Sequence, residues 1–164
     1  MEAGRRYYDI QGAVCAPKPL QKKLPIWIDG RGPQRTARLA VQYGDGHNLA
    51  YVSHAEFKTY QEGLVRACEK LKRDPATLQH SVNLHFHMGA DEAGARVARE
   101  KLQKFPLGQR LGALAGTAPE VIDRIAEYRE VGVDSLNIAF RPPIDWAAFE
   151  AYIERVLPVF RQSA

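Results

Sequence analysis

Pro25-Ile26-Trp27-Ile28-Asp29-Gly30-Arg31-Gly32-Pro33 reads as a short strand, a glycine turn and the start of a helix. The apolar run is rich in β-formers, two glycines close it, and proline is pre-set for a first helical position. The helix predicted over Pro33 to Tyr43 carries Thr36, Leu39, Ala40 and Tyr43 at helical spacing and ends at Gly44. A second strand, His47 to Tyr51, follows at once.

The same plan recurs three more times downstream. Ser53 and Glu56 have the spacing of a capping box, and the helix they open places Phe57, Tyr60, Leu64, Ala67 and Leu71 on one face before Asp74-Pro75. In Ser81 to Met88, apolar Val82, Leu84, Phe86 and Met88 alternate with Ser81, Asn83, His85 and His87, the pattern of a strand with one polar face. A helix is predicted from about Asp91 to Phe105, followed by a Gly- and Leu-rich connection. Thr117 and Glu120 form a second capping box, opening a helix over Ala118 to Val131 with Val121, Ile122, Ile125 and Tyr128 inward. The fourth strand is Ser135 to Phe140, and Asp145 caps a last helix with Trp146, Phe149, Ile153, Val156 and Phe160 at helical spacing.

Four strand-helix units predict right-handed crossovers and a parallel sheet covered by helices. Residues 1–24, rich in Pro, Lys and Gln, read as an extended lead-in, because Pro17 and Pro19 remove ladder donors. Residues 25–164 read as one domain.

Composition narrows the function classes. The 164 residues hold 23 Lys plus Arg against 19 Asp plus Glu, but the cations are interspersed with acids, and the tight group Lys18, Lys22 and Lys23 has no interleaved aromatics. Nucleic-acid binding therefore has no footprint here. The polar start Met1–Arg6 and the absence of a long apolar run predict no signal peptide and no membrane anchor, hence a cytoplasmic location. Cys15 and Cys68 lack metal or redox spacing and read as unpaired thiols.

Ligands of parallel α/β folds bind at the carboxyl ends of the strands, where helix amino termini present free amides. Gly30-Arg31-Gly32 suits a phosphate there, with a tight structural turn as the alternative. Gly116-Thr117 is a second anion candidate that its capping box already explains. His85 and His87 read as polar lining of a cofactor or substrate cavity, as barrel-interior histidines, or as two ligands of a metal hydrolase; no further ligand completes the last. Trp27, Asn83 and Asn137 share their parity. Arg141, followed by Pro142-Pro143, reads either as a contact for an anionic substrate or as a helix cap. No nucleophile elbow, Walker sequence or carboxylate pair is present.

Several segments together resemble the carboxyl-terminal half of the luciferase-like monooxygenase family. They are Gly4-Arg5-Arg6-Tyr7-Tyr8, Pro17-Lys18-Pro19-Leu20-Gln21, the opening stretch 25–33, Arg35-Thr36-Ala37-Arg38-Leu39-Ala40, Gly44-Asp45-Gly46-His47-Asn48, Arg73-Asp74-Pro75, Gly116-Thr117-Ala118-Pro119-Glu120-Val121 and Gly132-Val133-Asp134. The resemblance implies part of a TIM (β/α)8 barrel and an oxidoreductase using FMN or, alternatively, a deazaflavin coenzyme on a small organic substrate. It also implies that Gly30, Arg31 and Gly32 hold the cofactor phosphate, with Trp27, His87 and Asn137 as lining. Catalytic residues are expected in the amino-terminal half.

An eight-unit barrel needs about 250 residues. Four units make a half barrel, expected to pair with a second copy or with a separate amino-terminal half to complete its core. The competing expectation is a non-catalytic half-barrel module that binds a phosphorylated ligand or acts in assembly.

Overall fold

The computed structural model describes residues 11–14 and 16–161. Gly4-Arg5-Arg6-Tyr7-Tyr8, the Met1–Arg6 start and Cys15 lie outside them. The described part of the lead-in carries no helix or strand.

Among the described residues, five parallel strands alternate with helices. β1 (Trp27–Asp29) leads through the glycine turn to α1 (Arg35–Tyr43), β2 (Gly46–Ala50) and α2 (His54–Leu71). β3 (Gln79–Met88), the longest strand, is followed by α3 (Glu92–Leu102) and the short α4 (Leu107–Leu111). Then come β4 (Ala113–Gly116), α5 (Ala118–Glu130), β5 (Ser135–Ala139), α6 (Trp146–Ala151), a π-helical turn (Tyr152–Val156) and α7 (Leu157–Arg161).

The strand β4 corrects the sequence reading, which treats its residues as a connection. β3 pairs β2 along Gln79–Asn83, β4 along His85–Met88 and β5 along Ser81–His85. The amides of Gln79, His85 and Gly89 donate to Asp45, Gly112 and Gly116, whereas the His80 carbonyl accepts from Asp134. Alternate backbone groups of a strand point to opposite sides, so β4 continues the lane that β2 leaves, and β5 holds the other edge of β3. At the seam, a Cβ on Gly112 would meet the Tyr51 carbonyl carbon at 2.3 Å, so only glycine lets β4 begin where β2 ends. The sheet thus has four lanes built from five strands.

Capping fixes the helix starts. Ser53 and Glu56 make a reciprocal box on α2, Thr117 and Glu120 make one on α5, and Asp145 accepts from the Ala148 amide at 3.0 Å on α6. Arg73 donates to the Val41 and Gly44 carbonyls at 2.9 and 2.7 Å, satisfying the carboxyl end of α1.

Even-numbered side chains of β3 enter the main core. Val82, Leu84 and Met88 pack with Leu49, Phe57, Leu114, Val121, Tyr128 and Val156. Two helix faces differ from their sequence readings. α1 buries Ala37, Ala40 and Val41 and exposes Tyr43. In the last helix Trp146 and Ile153 are exposed while Ala148, Tyr152 and Val156 are buried, and from Tyr152 on the π turn adds a residue that shifts the apolar face.

Candidate functional site

Parallel strands bring paired residues onto one face, and the odd-numbered positions of β3 define the open one. Across it run Asp29, Asn48, Ser81 and Ser135 in one row, then Ala50, Asn83 and Asn137, then Ala113, His85 and Ala139, then Ala115 and His87. Asn48 donates to Asp29 at 3.1 Å and accepts from the Ser81 hydroxyl at 2.8 Å, so the lowest of these rows is internally satisfied.

The glycine turn stands at the carboxyl end of β1. Gly30 has φ +131°, and a Cβ on Gly32 would lie 2.6 Å from the Thr36 hydroxyl, so both positions require glycine. Arg31 donates to the Ala50 and Tyr51 carbonyls at 2.5 and 3.0 Å, which locks the turn to the carboxyl end of β2. α1, beginning just beyond, has no side-chain cap and no acid in its first turn. In α2, α3 and α6 the N-cap side chain accepts a first-turn amide, and α5 opens with the Thr117 and Glu120 capping box. In α1 the Ala37 amide donates to the Gly32 carbonyl at 3.3 Å, which leaves the Arg35 and Thr36 amides ahead of it for an anion.

His47 faces the helices, in register with Ile28 and His80, and its Nε2 lies 3.1 Å from the Gly30 carbonyl oxygen. Burial lowers its pKa, so the ring is neutral. It supports the turn from behind. Asp45 is occupied too: its carboxylate accepts from the Ile26 amide at 3.0 Å and pairs with Lys23.

A cleft of about 630 Å³ opens at the carboxyl ends of β3 and β5, walled by α3 and the 140–145 segment. His85 is 2% exposed, stacks on Tyr51 at a centroid distance of 3.9 Å, and has no partner for either ring nitrogen. Phe105 sits 5.5 Å from the His85 ring and 5.4 Å from the His87 ring. Burial lowers the pKa of both histidines, assisted by Arg141 and His87 at His85 and by Lys101 at His87. Both are neutral imidazoles at pH 7, suited to exchanging a hydrogen bond or accepting a proton.

Of the sequence candidates, His87 lies at the carboxyl end of β3, Asn137 is level with Asn83 at mid-strand, and Gly30, Arg31 and Gly32 follow β1 just beyond the Asp29, Asn48 and Ser81 row. Trp27 does not join them. It pairs with Gly46, which pairs with Gln79, eight residues before His87 along β3 and hence about 26 Å away at ~3.3 Å per residue. Its ring instead packs on Gly46, where a Cβ would meet it at 2.6 Å. Asn137 is exposed on β5, and Arg141 donates to the Tyr51 hydroxyl at 3.4 Å. Tyr51, Phe105 and Lys101 join the site without any sequence signal, since each lies beyond a strand or on the far end of α3. Among the described residues no three His, Cys, Asp or Glu side chains converge as metal ligands. No described helix is long and apolar enough to cross a membrane.

A parallel βα sheet with a glycine turn and an imidazole-lined cleft beyond its strands defines a portion of a (β/α)8-type barrel. Residues 2–111 match the luciferase-like monooxygenase family, and the chain belongs to it. It is 23% identical, over 99% of its length and 56% of the relative's, to the oxygenase component of a flavin-dependent trigonelline monooxygenase from Acinetobacter baylyi.

Solved structures share the fold. An F420-dependent secondary alcohol dehydrogenase matches with TM-score 0.68 and 16% identity over 93% of this chain and 53% of its own. A long-chain alkane monooxygenase matches with TM-score 0.68 and 17% identity over 96% and 45%. The coenzyme F420-dependent tetrahydromethanopterin reductase of Methanopyrus kandleri matches with TM-score 0.66 and 14% identity over 84% and 51%. The chain spans about half the length of these proteins.

Proposed function

We propose that the chain supplies the carboxyl-terminal barrel half of an oxidoreductase that works with FMN or a deazaflavin coenzyme on a small organic substrate. The carrying observation is that a glycine turn leading into a helix with no side-chain cap follows β1, while a cleft lined by the unpartnered His85 opens at the carboxyl ends of β3 and β5 of the same parallel sheet.

The residues present fit such a cofactor. The turn at Gly30 and Gly32 lets backbone approach a phosphate without a Cβ in the way, α1 presents uncapped amides, and Arg31 and Arg35 add positive charge. A bound reduced flavin supplies oxygen activation, and a bound deazaflavin supplies hydride. The protein's own contribution is placement: the phosphate on the turn, the substrate against Phe105, and a neutral His85 able to hold a substrate hydrogen bond or take a proton on a ring nitrogen. Trp27, at the far end of the sheet, has its place in this reading as a barrel-floor side chain.

The lane edges at β1 and β5 are completed by a second barrel half, from another copy or from an amino-terminal half. Sedimentation of the chain is expected to show association, and a stable compact monomer overturns this part.

Titration with FMN and with a deazaflavin, read by fluorescence, tests the cofactor assignment. Gly32→Ala and Arg31→Gln are each expected to weaken binding at least tenfold. Binding of inorganic phosphate at the turn without either flavin favours the non-catalytic module instead, and flavin binding indifferent to both substitutions removes the turn from the site.

A further inference from the structure

We infer that the cleft between α3 and the 140–145 segment takes a planar carboxylate, an aromatic or heteroaromatic acid, as its substrate; calling it a substrate rests on the oxidoreductase reading above, and its binding does not.

Charge comes first. Arg96, Lys101 and Arg141 line the cleft against one carboxylate, Asp145, which is occupied by the Ala148 amide at 3.0 Å. Helix α3 is able to pair its cations, since Arg99 holds both Glu92 and Glu120. Arg96 and Lys101 on the same helix have no ion-pair partner among the described residues, and Arg141 meets only the neutral Tyr51 hydroxyl at 3.4 Å. Three unpaired cations around one cavity call for an anion.

Shape and polarity define the rest of the ligand. Phe105 presents a ring to both imidazoles, so the histidine side of the cavity carries a flat aromatic surface, while Phe140, packed on Phe86 at 4.6 Å and on Phe149, borders it from the helix side. Such surfaces favour a ring stacked or edge-on at ~4.5 to 7 Å. His85, buried with both ring nitrogens unpaired, calls for a hydrogen-bonding partner that the described residues do not provide. A ring carrying a carboxylate or a ring nitrogen meets both demands.

A phosphate fits less well. The two helix amino termini bordering the cleft are closed, α3 by Asp91 on the Gly94 amide at 2.8 Å and α6 by Asp145. Each places a carboxylate where phosphate oxygens would otherwise find amides. Separate side-chain cations remain, which suit a monoanion.

Benzoate and benzamide titrated into the full 164-residue chain without flavin, followed by calorimetry or NMR, test the inference. Benzoate is expected to bind at least tenfold tighter than benzamide. Lys101→Gln and Arg141→Gln, both on exposed side chains and expected to leave the melting curve unchanged, each remove about tenfold from benzoate and leave benzamide alone. Equal binding of the two probes, no binding of either, or displacement of benzoate by equimolar inorganic phosphate overturns the inference. Loss of flavin binding with benzoate binding intact overturns only the cofactor reading.

Discussion

The two faces of β3 are built from the same ten residues and do opposite work. Even positions Val82, Leu84 and Met88 are sealed under helices, and His47 and His80 on that side are neutral, each with Nδ1 unpartnered. Odd positions Ser81, Asn83, His85 and His87 look into the open side, and polar side chains there range from the bonded Ser81 to the unpaired His85. The helix face carries the packing on which folding rests, and the open face carries the polar groups of the proposed site. Substitutions should therefore separate the two properties.

The largest effect is expected at Leu84, fully buried in the main core. Leu84→Ala removes buried methyls and leaves a cavity, at a cost of about 2–5 kcal/mol in chemical denaturation. Asn83→Ala, one residue away on the open face, should cost far less. Equal losses would show that the open face is covered in the folded protein.

Next is Tyr128, whose buried hydroxyl donates to the Val52 carbonyl at 2.7 Å and ties α5 to the end of β2. Burial pushes the phenol well above its ordinary pKa. Tyr128→Phe keeps the ring and orphans the carbonyl, for about 1–3 kcal/mol in unfolding free energy. Benzoate and flavin binding should be unchanged. Thr117→Ala follows at about 1 kcal/mol, since it takes the Thr117 hydroxyl out of a capping box at the exposed start of α5.

The same division explains what the sequence made legible. Alternation in Ser81 to Met88, the capping boxes at Ser53 and Thr117, and Gly30-Arg31-Gly32 are local signals, and each element they predict is present. Face is legible because parity is local, and Trp27, Asn83, His85, His87 and Asn137 do share one. Level along the sheet depends on the register between strands, which is a tertiary property, and for that reason Trp27 falls at the opposite end from His87. β4 is hidden for a related reason. Ala113–Gly116 has neither β-branched residues nor alternation and becomes a strand because β3 outruns β2 and leaves a free edge. The facing of His47 is likewise set by its neighbours Ile28 and His80.

The smallest expected effect is on pH dependence, and it bears on both faces at once. His47 and His80 on the helix side and His85 and His87 on the open side all have pKa values lowered from 6.5, in each case mainly by burial. The unfolded chain then binds more protons than the folded one once the pH drops below about 6.5. Stability is fully present above that value and declines as pH falls toward the lowered folded pKa values. Glu120 and Asp45, lowered by the Thr117 amide and by Lys23, lose their contributions only below about 4.5 and 3.8. Unfolding midpoints between pH 7.5 and 5 therefore report the histidines alone among these groups. Each contributes a slope below the ~1.4 kcal/mol per pH unit that one whole proton would give. His47→Gln should flatten part of this slope whether or not ligand is present. For His85→Gln the flattening should vanish in saturating benzoate, because a ligand on the imidazole already biases its protonation. An unchanged slope in both variants would mean that neither ring is desolvated in solution, and would remove the neutral imidazoles from the reading of the cleft.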